Sequence, residues 1–318
     1  MTHDNQRSRH DPLGALDGTA PEVARATGER QYRYEADCRH GRIAVNQNDL
    51  YVGRSLLAYG EWAEFELQLL GPLLRAGDVV VDAGANIGTH ALFFAQTVGP
   101  RGHVLAFEPQ RHVHALLSDT MALNDVTAWV TCIRAALGST AGSMIVPDLP
   151  TQMILNFGAL ALGDCVTGDQ VPLVTLDGLA LPQCRLIKVD VEGMEAEVLQ
   201  GAADTIRRHR PILYVENDRP EASAELLALL RAFGYRLFAH LAPCFNPGNF
   251  AGRRENMFPE SANLNLLCLP DDTTYDPTGH PGWDPQAVTM AVLLDRHGLA
   301  PKHTLSLNGT DRLVPVSE

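Results

Sequence analysis

Lysine is nearly missing from this chain. Only Lys188 and Lys302 are lysines among 25 basic residues, which stand against 38 acidic ones for a formal net charge of −13. No basic run or stripe interrupts that balance, which argues against nucleic acid or an anionic membrane as a partner. The six cysteines (38, 132, 165, 184, 244 and 268) are scattered without a C-x-x-C pair. That excludes a structural zinc site of the usual spacing and fits a reducing compartment, where a free cysteine behaves as a small hydrophobe. No apolar run reaches about 18 residues, and the N-terminus has no basic-then-apolar leader. A soluble, cytoplasmic protein is predicted. There is no internal repeat.

Apolar residues make up 45% of 318 positions, enough for one large α/β domain with terminal additions or for two small domains. Residues 1–29 are polar and aperiodic and read as a disordered tail. Residues 30–77 read as an N-terminal cap, with a hairpin from strands at Arg42–Val45 and Asp49–Val52 and a helix over Ala63–Leu74. An alternating series follows: strand 79–82, helix 88–98, strand 103–107, helix 111–123 and strand 127–133. After a polar, glycine-containing interval come a short strand at 171–176, strand 185–190, helix 194–208, strand 211–216, helix 221–233, strand 235–240 and a last strand at 263–269. Strands separated by helices of this length predict a doubly wound, mostly parallel sheet. Residues 78–270 are thus the expected core, and 271–318 an appendage whose best helix is Pro285–Arg296.

The stretch Asp78–Gly88 organises the core. Val79-Val80-Val81 is a β-branched run suited to a strand buried on both faces, and it leads through Asp82 into a loop of small residues that opens a helix. Glycines at 84 and 88 admit close backbone approach to a ligand, and the helix start offers free N–H groups. The arrangement points to a nucleotide-type cofactor. Its spacing is not the G-x-G-x-x-G of nicotinamide enzymes. Asp82-x-Gly84-x-x-x-Gly88 instead resembles the first motif of class I S-adenosylmethionine (SAM) methyltransferases. SAM lacks a pyrophosphate and carries cationic sulfonium and amino groups, so a carboxylate at the strand tip makes electrostatic sense. Glu108, ending the next strand, is placed to accept both ribose hydroxyls.

In such sheets ligands bind beyond the carboxyl ends of the strands. The residues there are Asp82, Glu108, Arg134 to Leu137, Asp190 to Gly193, Glu216-Asn217 and His240. The chain also carries Tyr59-Gly60-Glu61-Trp62, Phe107-Glu108-Pro109, Ile187-Lys188-Val189-Asp190-Val191-Glu192-Gly193-Met194-Glu195, Glu255-Asn256-Met257-Phe258 and Asn265-Leu266-Leu267-Cys268-Leu269-Pro270. In order and spacing these resemble the FkbM family of SAM-dependent methyltransferases over roughly residues 55 to 270. The resemblance implies a seven-stranded sheet whose last strand, Asn263–Leu269, is antiparallel. It also implies O-methylation of a sugar, glycoside or polyketide-type hydroxyl.

For the cofactor, the expected residues are Asp82, Gly84, Asn86 and Gly88 around the methionine part and Glu108 on the ribose. Ala136, with Ala135, falls where the family places adenine, and Tyr59 and Glu61 are candidates to close over the methionine end. For catalysis, an aliphatic hydroxyl needs a base or a metal. Base candidates are Asp190, Lys188 and His240. Asp190, Glu216 and Asn217 on neighbouring strands resemble the oxygen-ligand site of other O-methyltransferases and would suit Mg²⁺. Glu192 and Glu195 are explained by a helix N-terminus. Ala242–Glu260, rich in aromatics, glycine and arginine, reads as a lid or acceptor-binding loop. The expected partner is a small-molecule acceptor; a nitrogen or carboxylate acceptor, a SAM-binding scaffold without catalysis, and assembly into a homo-oligomer stay open.

Overall fold

The computed structural model describes residues 24–26, 32–158, 166–259, 261–284 and 310–317. Strands β1 (Ala24–Ala26), β2 (Arg33–Cys38) and β3 (Gly41–Asn46) form a small antiparallel sheet. Helices α1 (Val52–Tyr59) and α2 (Glu64–Leu70) lead into β4 (Val79–Ala83). Then come α3 (Thr89–Val98), β5 (His103–Phe107), α4 (Arg111–Leu123) and β6 (Val130–Ile133). The interval read as polar carries β7 (Ala136–Leu137), β8 (Gly142–Val146) and β9 (Asp169–Val174), which make a second small sheet. The core resumes with β10 (Leu186–Val189), α5 (Glu195–Gln200), α6 (Ala203–His209), β11 (Ile212–Glu216) and α7 (Pro220–Ala232). It closes with β12 (Tyr235–Pro243), β13 (Ala262–Pro270) and β14 (Arg312–Pro315).

The main sheet runs β14-β12-β13-β11-β10-β4-β5-β6. Strands β6, β5, β4, β10 and β11 are parallel neighbours, while β13 lies antiparallel between β11 and β12. The doubly wound, mostly parallel α/β expectation therefore holds, including the antiparallel last core strand. The count differs: the sheet has eight strands, because β14 of the C-terminal appendage pairs antiparallel with β12. The chain leaves β4 toward β5 and β6, then returns on the other side of β4 at β10, so the switch in strand order lies between β4 and β10.

Four further expectations change. The N-terminal hairpin is β2–β3; Asp49 makes only an isolated bridge to Leu155, and Val52 already begins α1. The helix expected over 194–208 is two helices. At the break, a Cβ on Gly201 would stand 2.0 Å from the Gly138 carbonyl, a close approach only glycine permits. His240 does not end its strand, since β12 runs on to Pro243. The expected tail supplies β1, which pairs with β2; the rest of 1–29 and the helix expected at 285–296 lie outside the described residues.

Side chains alternate faces along a strand, and one face of the sheet carries a buried polar row near its carboxyl edge. It comprises Asp82 (β4), Lys188 (β10), Tyr214 (β11), Asn265 (β13) and His240 (β12), with Asp311 just before β14, all at most 7% exposed. His240 Nε2 lies 2.8 Å from an Asp311 carboxylate oxygen, and its Nδ1 lies 2.7 Å from the Tyr214 hydroxyl. A carboxylate only accepts, so Nε2 carries a proton toward Asp311. Buried polar groups demand such partners. Among the described residues the three buried cysteines (38, 184 and 268) sit in the two hydrophobic clusters that flank the sheet. No helix among the described residues is long and apolar enough to cross a membrane.

Removing Asp311 leaves the buried His240 donor without its carboxylate. Asp311→Ala should lower stability by about 1–3 kcal/mol, and Asp311→Asn, which keeps an acceptor, by less. Thermal unfolding of the two variants beside the parent checks this.

Candidate active site

The carboxyl tips of β4, β5 and β10 are stitched together by backbone. Gly84 N and Ala85 N both donate to the Phe107 carbonyl (3.0 and 2.9 Å), and Asp190 N donates to the Ala83 carbonyl (3.0 Å). Gly84 has φ +78, and a Cβ there would stand 1.7 Å from the Asp190 carbonyl oxygen. At Gly88 (φ +95) a Cβ would meet Leu117 and Met121 of α4 at 2.8 Å. Gly84 is therefore required by the approach of rigid backbone, and Gly88 is favoured by its left-handed φ. Beyond the tips opens a cleft lined by Gly84, Asn86, Glu108, Ala136, Asp190 and Glu192 among others.

Glu108 is held at the cleft wall by two backbone donors. Asn86 N donates to Oε2 (3.1 Å) and Gln110 N to Oε1 (2.9 Å). Asn86 is itself in the left-handed region (φ +49), and its own Oδ1 accepts from Ile87 N at 2.7 Å. Burial pushes the Glu108 carboxyl up to about 7; Asp82 and Asp190 add to the rise, and the two amides oppose it. Each Glu108 oxygen keeps a lone pair for a ligand donor.

Behind the cleft, Lys188 is 2% exposed, with Nζ 3.0 Å from Asp190 and 3.5 Å from Asp82. Burial alone would depress the ammonium, but the charges of Asp190 and Asp82 outweigh it and hold the pKa above the usual lysine value. Asp82 is fully buried, and neither carboxylate oxygen accepts a hydrogen bond from a described residue. Lys188 is thus the bridge between a sealed anion and one that reaches the cleft.

Asp190, Glu192 and Glu216 each bring a carboxylate oxygen to within 4.8 Å of the others. Burial, and then the charge of Asp190, raises Glu192 to about 8 and Glu216 well above the carboxylate range. Arg219 opposes the rise at Glu192 through a 2.7 Å ion pair. Glu216 Oε2 is buried without a hydrogen-bond partner among the described residues. Asn217, expected in this set, donates its Nδ2 to Ser223 Oγ at 3.0 Å. Glu192, read from the sequence as part of a helix start, joins Asp190 and Glu216 and precedes the helix, which begins at Glu195. Glu192 (φ +60) and Gly193 (φ +106) form a left-handed turn that swings the carboxylate inward. Gly193 was the available signal, since glycine punctuates chains at turns. Glu195 accepts from Val191 N and Gly193 N and fixes that turn.

The remaining candidates lie elsewhere. Tyr59 and Glu61 tie down the loop after β12. The Tyr59 hydroxyl donates to the Glu255 carbonyl (2.9 Å) and accepts from Met257 N (2.7 Å). Glu61 accepts from Arg39 Nε, Asn246 Nδ2 and Phe250 N. His240 is sealed in the polar row with both ring nitrogens engaged.

Comparison with known proteins follows the same outline. The model of the methyltransferase FkbM domain matches residues 82–237. The chain is 31% identical over 160 residues to methyltransferase SdnD of Sordaria araneosa, covering 40% of this chain and 61% of that protein. It is 28% identical over 146 residues to hexuronic acid methyltransferase AglP of Haloferax volcanii, covering 44% and 56%. It is 32% identical over 209 residues to 31-O-demethyl-FK506 methyltransferase FkbM of Streptomyces tacrolimicus, covering 55% and 79%. The chain thus spans 61% and 56% of the length of the first two relatives.

Lys188→Met should strand the buried Asp82 charge and destabilise the fold by about 3–5 kcal/mol. Adding Asp82→Asn should recover part of that loss, a non-additivity that denaturant unfolding of the single and double variants would measure.

Proposed function

The chain belongs to the FkbM methyltransferase family, and we propose that it transfers the methyl group of SAM to a hydroxyl of a small-molecule acceptor. The observation that carries this reading is the placement of Glu108 and Asp190 on one cleft at the switch point of the sheet, with a buried Lys188–Asp82 pair behind it.

The residues present fit the cofactor. Glu108 has spare acceptor capacity on both oxygens for two ribose hydroxyls. Phe107, Ala135, Ala136 and Leu137 give the cleft an apolar lining that suits a purine. Asn86 lies at the turn before α3, and the acids of the cleft favour a cationic methionine end. The cofactor supplies an already activated methyl group; the chain's task is alignment and deprotonation.

We assign the base to Asp190, whose side chain is 37% exposed and which Lys188 holds in place. Lys188 keeps its proton, and His240 has no free nitrogen and does not line the cleft, so neither serves as the base. The name of the Streptomyces relative, a 31-O-demethyl-FK506 methyltransferase, supports an oxygen acceptor. The gathering of Asp190, Glu192 and Glu216 supports a second element: Mg²⁺ held by these three, which would neutralise the acids and acidify a bound hydroxyl.

Isothermal calorimetry with S-adenosylhomocysteine should show binding, and Glu108→Ala should weaken it about 10–100-fold, in line with loss of a charge-assisted hydrogen bond. The pH dependence has a definite sign. A carboxyl raised to about 7 is protonated below that pH and has then lost acceptor capacity, so affinity should fall as pH drops through about 7. Absence of heat from the parent protein would refute the cofactor assignment.

A metal requirement shows separately. Methyl transfer should be lost with EDTA and restored by Mg²⁺, and Glu192→Gln should raise the Mg²⁺ concentration needed. Activity indifferent to chelation would leave Asp190 as base without a metal.

A further inference from the structure

Two backbone N–H groups hold the Glu108 carboxylate, and the residues that supply them meet one further segment through their side chains. Gln110 N donates to Glu108 Oε1 at 2.9 Å, while Gln110 Nε2 donates to the Phe157 carbonyl at 2.8 Å. Asn86 N donates to Glu108 Oε2 at 3.1 Å, and a Cβ on Gly158 would stand only 2.9 Å from Asn86 Nδ2. Residues 157–158 therefore lie across both supports of the carboxylate. Asn86, Glu108, Gln110 and Gly158 all line the same cleft.

The chain that reaches this point, residues 151–158, is fastened at its other end to the N-terminal cap. Asn46 Nδ2 and Asn48 Nδ2 both donate to the Thr151 carbonyl, at 3.1 and 3.0 Å. Leu50 N donates to the Leu155 carbonyl (3.0 Å), and Leu155 N donates to the Asn48 carbonyl (3.1 Å). Between the two ends, Phe157 is buried in the hydrophobic cluster, its ring centroid 6.1 Å from that of His112 on α4. Backbone hydrogen bonds at one end, a buried ring and a side-chain bond at the other give the segment a fixed course. It is a strap, not a free loop.

We infer that residues 151–158 retain the cofactor, and that Gln110 is the positioning residue that couples this strap to the ribose carboxylate. The inference rests on the placement of SAM against Glu108 and goes beyond it. Gln110 acts through its neighbours: its backbone steadies Glu108, and its side chain steadies the strap. A carboxylate held in one orientation loses less freedom when a ligand's hydroxyls bind it, so the clasp favours binding by preorganisation. Gly158 adds a wall on the Glu108 side of the cleft. An interaction of this kind shows in the rate of departure more than in the rate of arrival.

Gln110→Ala separates the two halves of the clasp, because alanine keeps the backbone N–H on Glu108 and removes the donor to Phe157. Dissociation of S-adenosylhomocysteine from the full chain, followed by surface plasmon resonance, should be about tenfold faster in this variant, in line with loss of one hydrogen bond. Its association rate should change by less than about twofold. Asn48→Ala loosens the strap from the far end and should speed dissociation by about two- to fivefold, since Asn46 still serves the Thr151 carbonyl. Hydrogen exchange over residues 151–158 reads the strap itself: S-adenosylhomocysteine should slow it in the parent, and much less so in Gln110→Ala. A purely structural role would lower the melting temperature of the free protein and leave the dissociation rate unchanged. That result, or strap exchange in the parent that ignores the ligand, would overturn the inference while leaving the methyltransferase reading in place. A parent that does not bind S-adenosylhomocysteine would remove that reading and this one with it.

Discussion

A single ammonium group, buried where two anions need it, is the constraint on which the site depends. Lys188 lies on β10 beside Asp82 of β4 and below Asp190. An isolated carboxylate as deeply buried as Asp82 would have to take up a proton or pull the strands apart. The shared cation lets a charged residue occupy the middle of the sheet. It also fixes the height at which Asp190 emerges. Gly84 completes the arrangement, since any side chain there would collide with the Asp190 carbonyl. The strand pair, the glycine and the buried charge are one device with three parts.

From that fixed edge the chemistry spreads outward by electrostatics. Glu108, Glu192 and Glu216 all rise above the ordinary carboxylate range, first through burial and then through their acidic neighbours. Such crowding is unfavourable in an empty cleft and is relieved by whatever brings positive charge or hydrogen-bond donors. Groups perturbed together at one cleft are what a binding site looks like in energetic terms. The far end of the same polar row serves the fold instead. There Tyr214, His240 and Asp311 satisfy one another and fasten β14 of the appendage to the core.

Much of this was legible in the sequence, for physical reasons. The β-branched run before Asp82 can only be an inner strand, and the alternation of strands with helices leaves few topologies besides the doubly wound sheet. Strand ends in such a sheet point to their own candidates, which is why Glu108 and Asp190, both lining the cleft, could be singled out without coordinates, while Asp82 lies sealed behind it. What escaped was set by distant contacts. Glu192 was misread because its left-handed backbone depends on the Gly193 turn and on Glu195 reaching back to it. His240 has the composition of a base but the surroundings of a core residue, and only the pairing of β12 with β13 and β14 reveals them. Tyr59 and Glu61 stand near the family's cap motif, yet their partners are nearly 200 residues away in the loop after β12. The eighth strand carries no strong pattern of its own; it exists because β12 offers it an edge.

A crystal structure of the protein soaked with S-adenosylhomocysteine tests the central claim most directly. The account expects both ribose hydroxyls within hydrogen-bond distance of the Glu108 carboxylate and the sulfur facing Asp190 across the cleft. A ligand bound elsewhere, or turned so that Glu108 meets the purine, would contradict it.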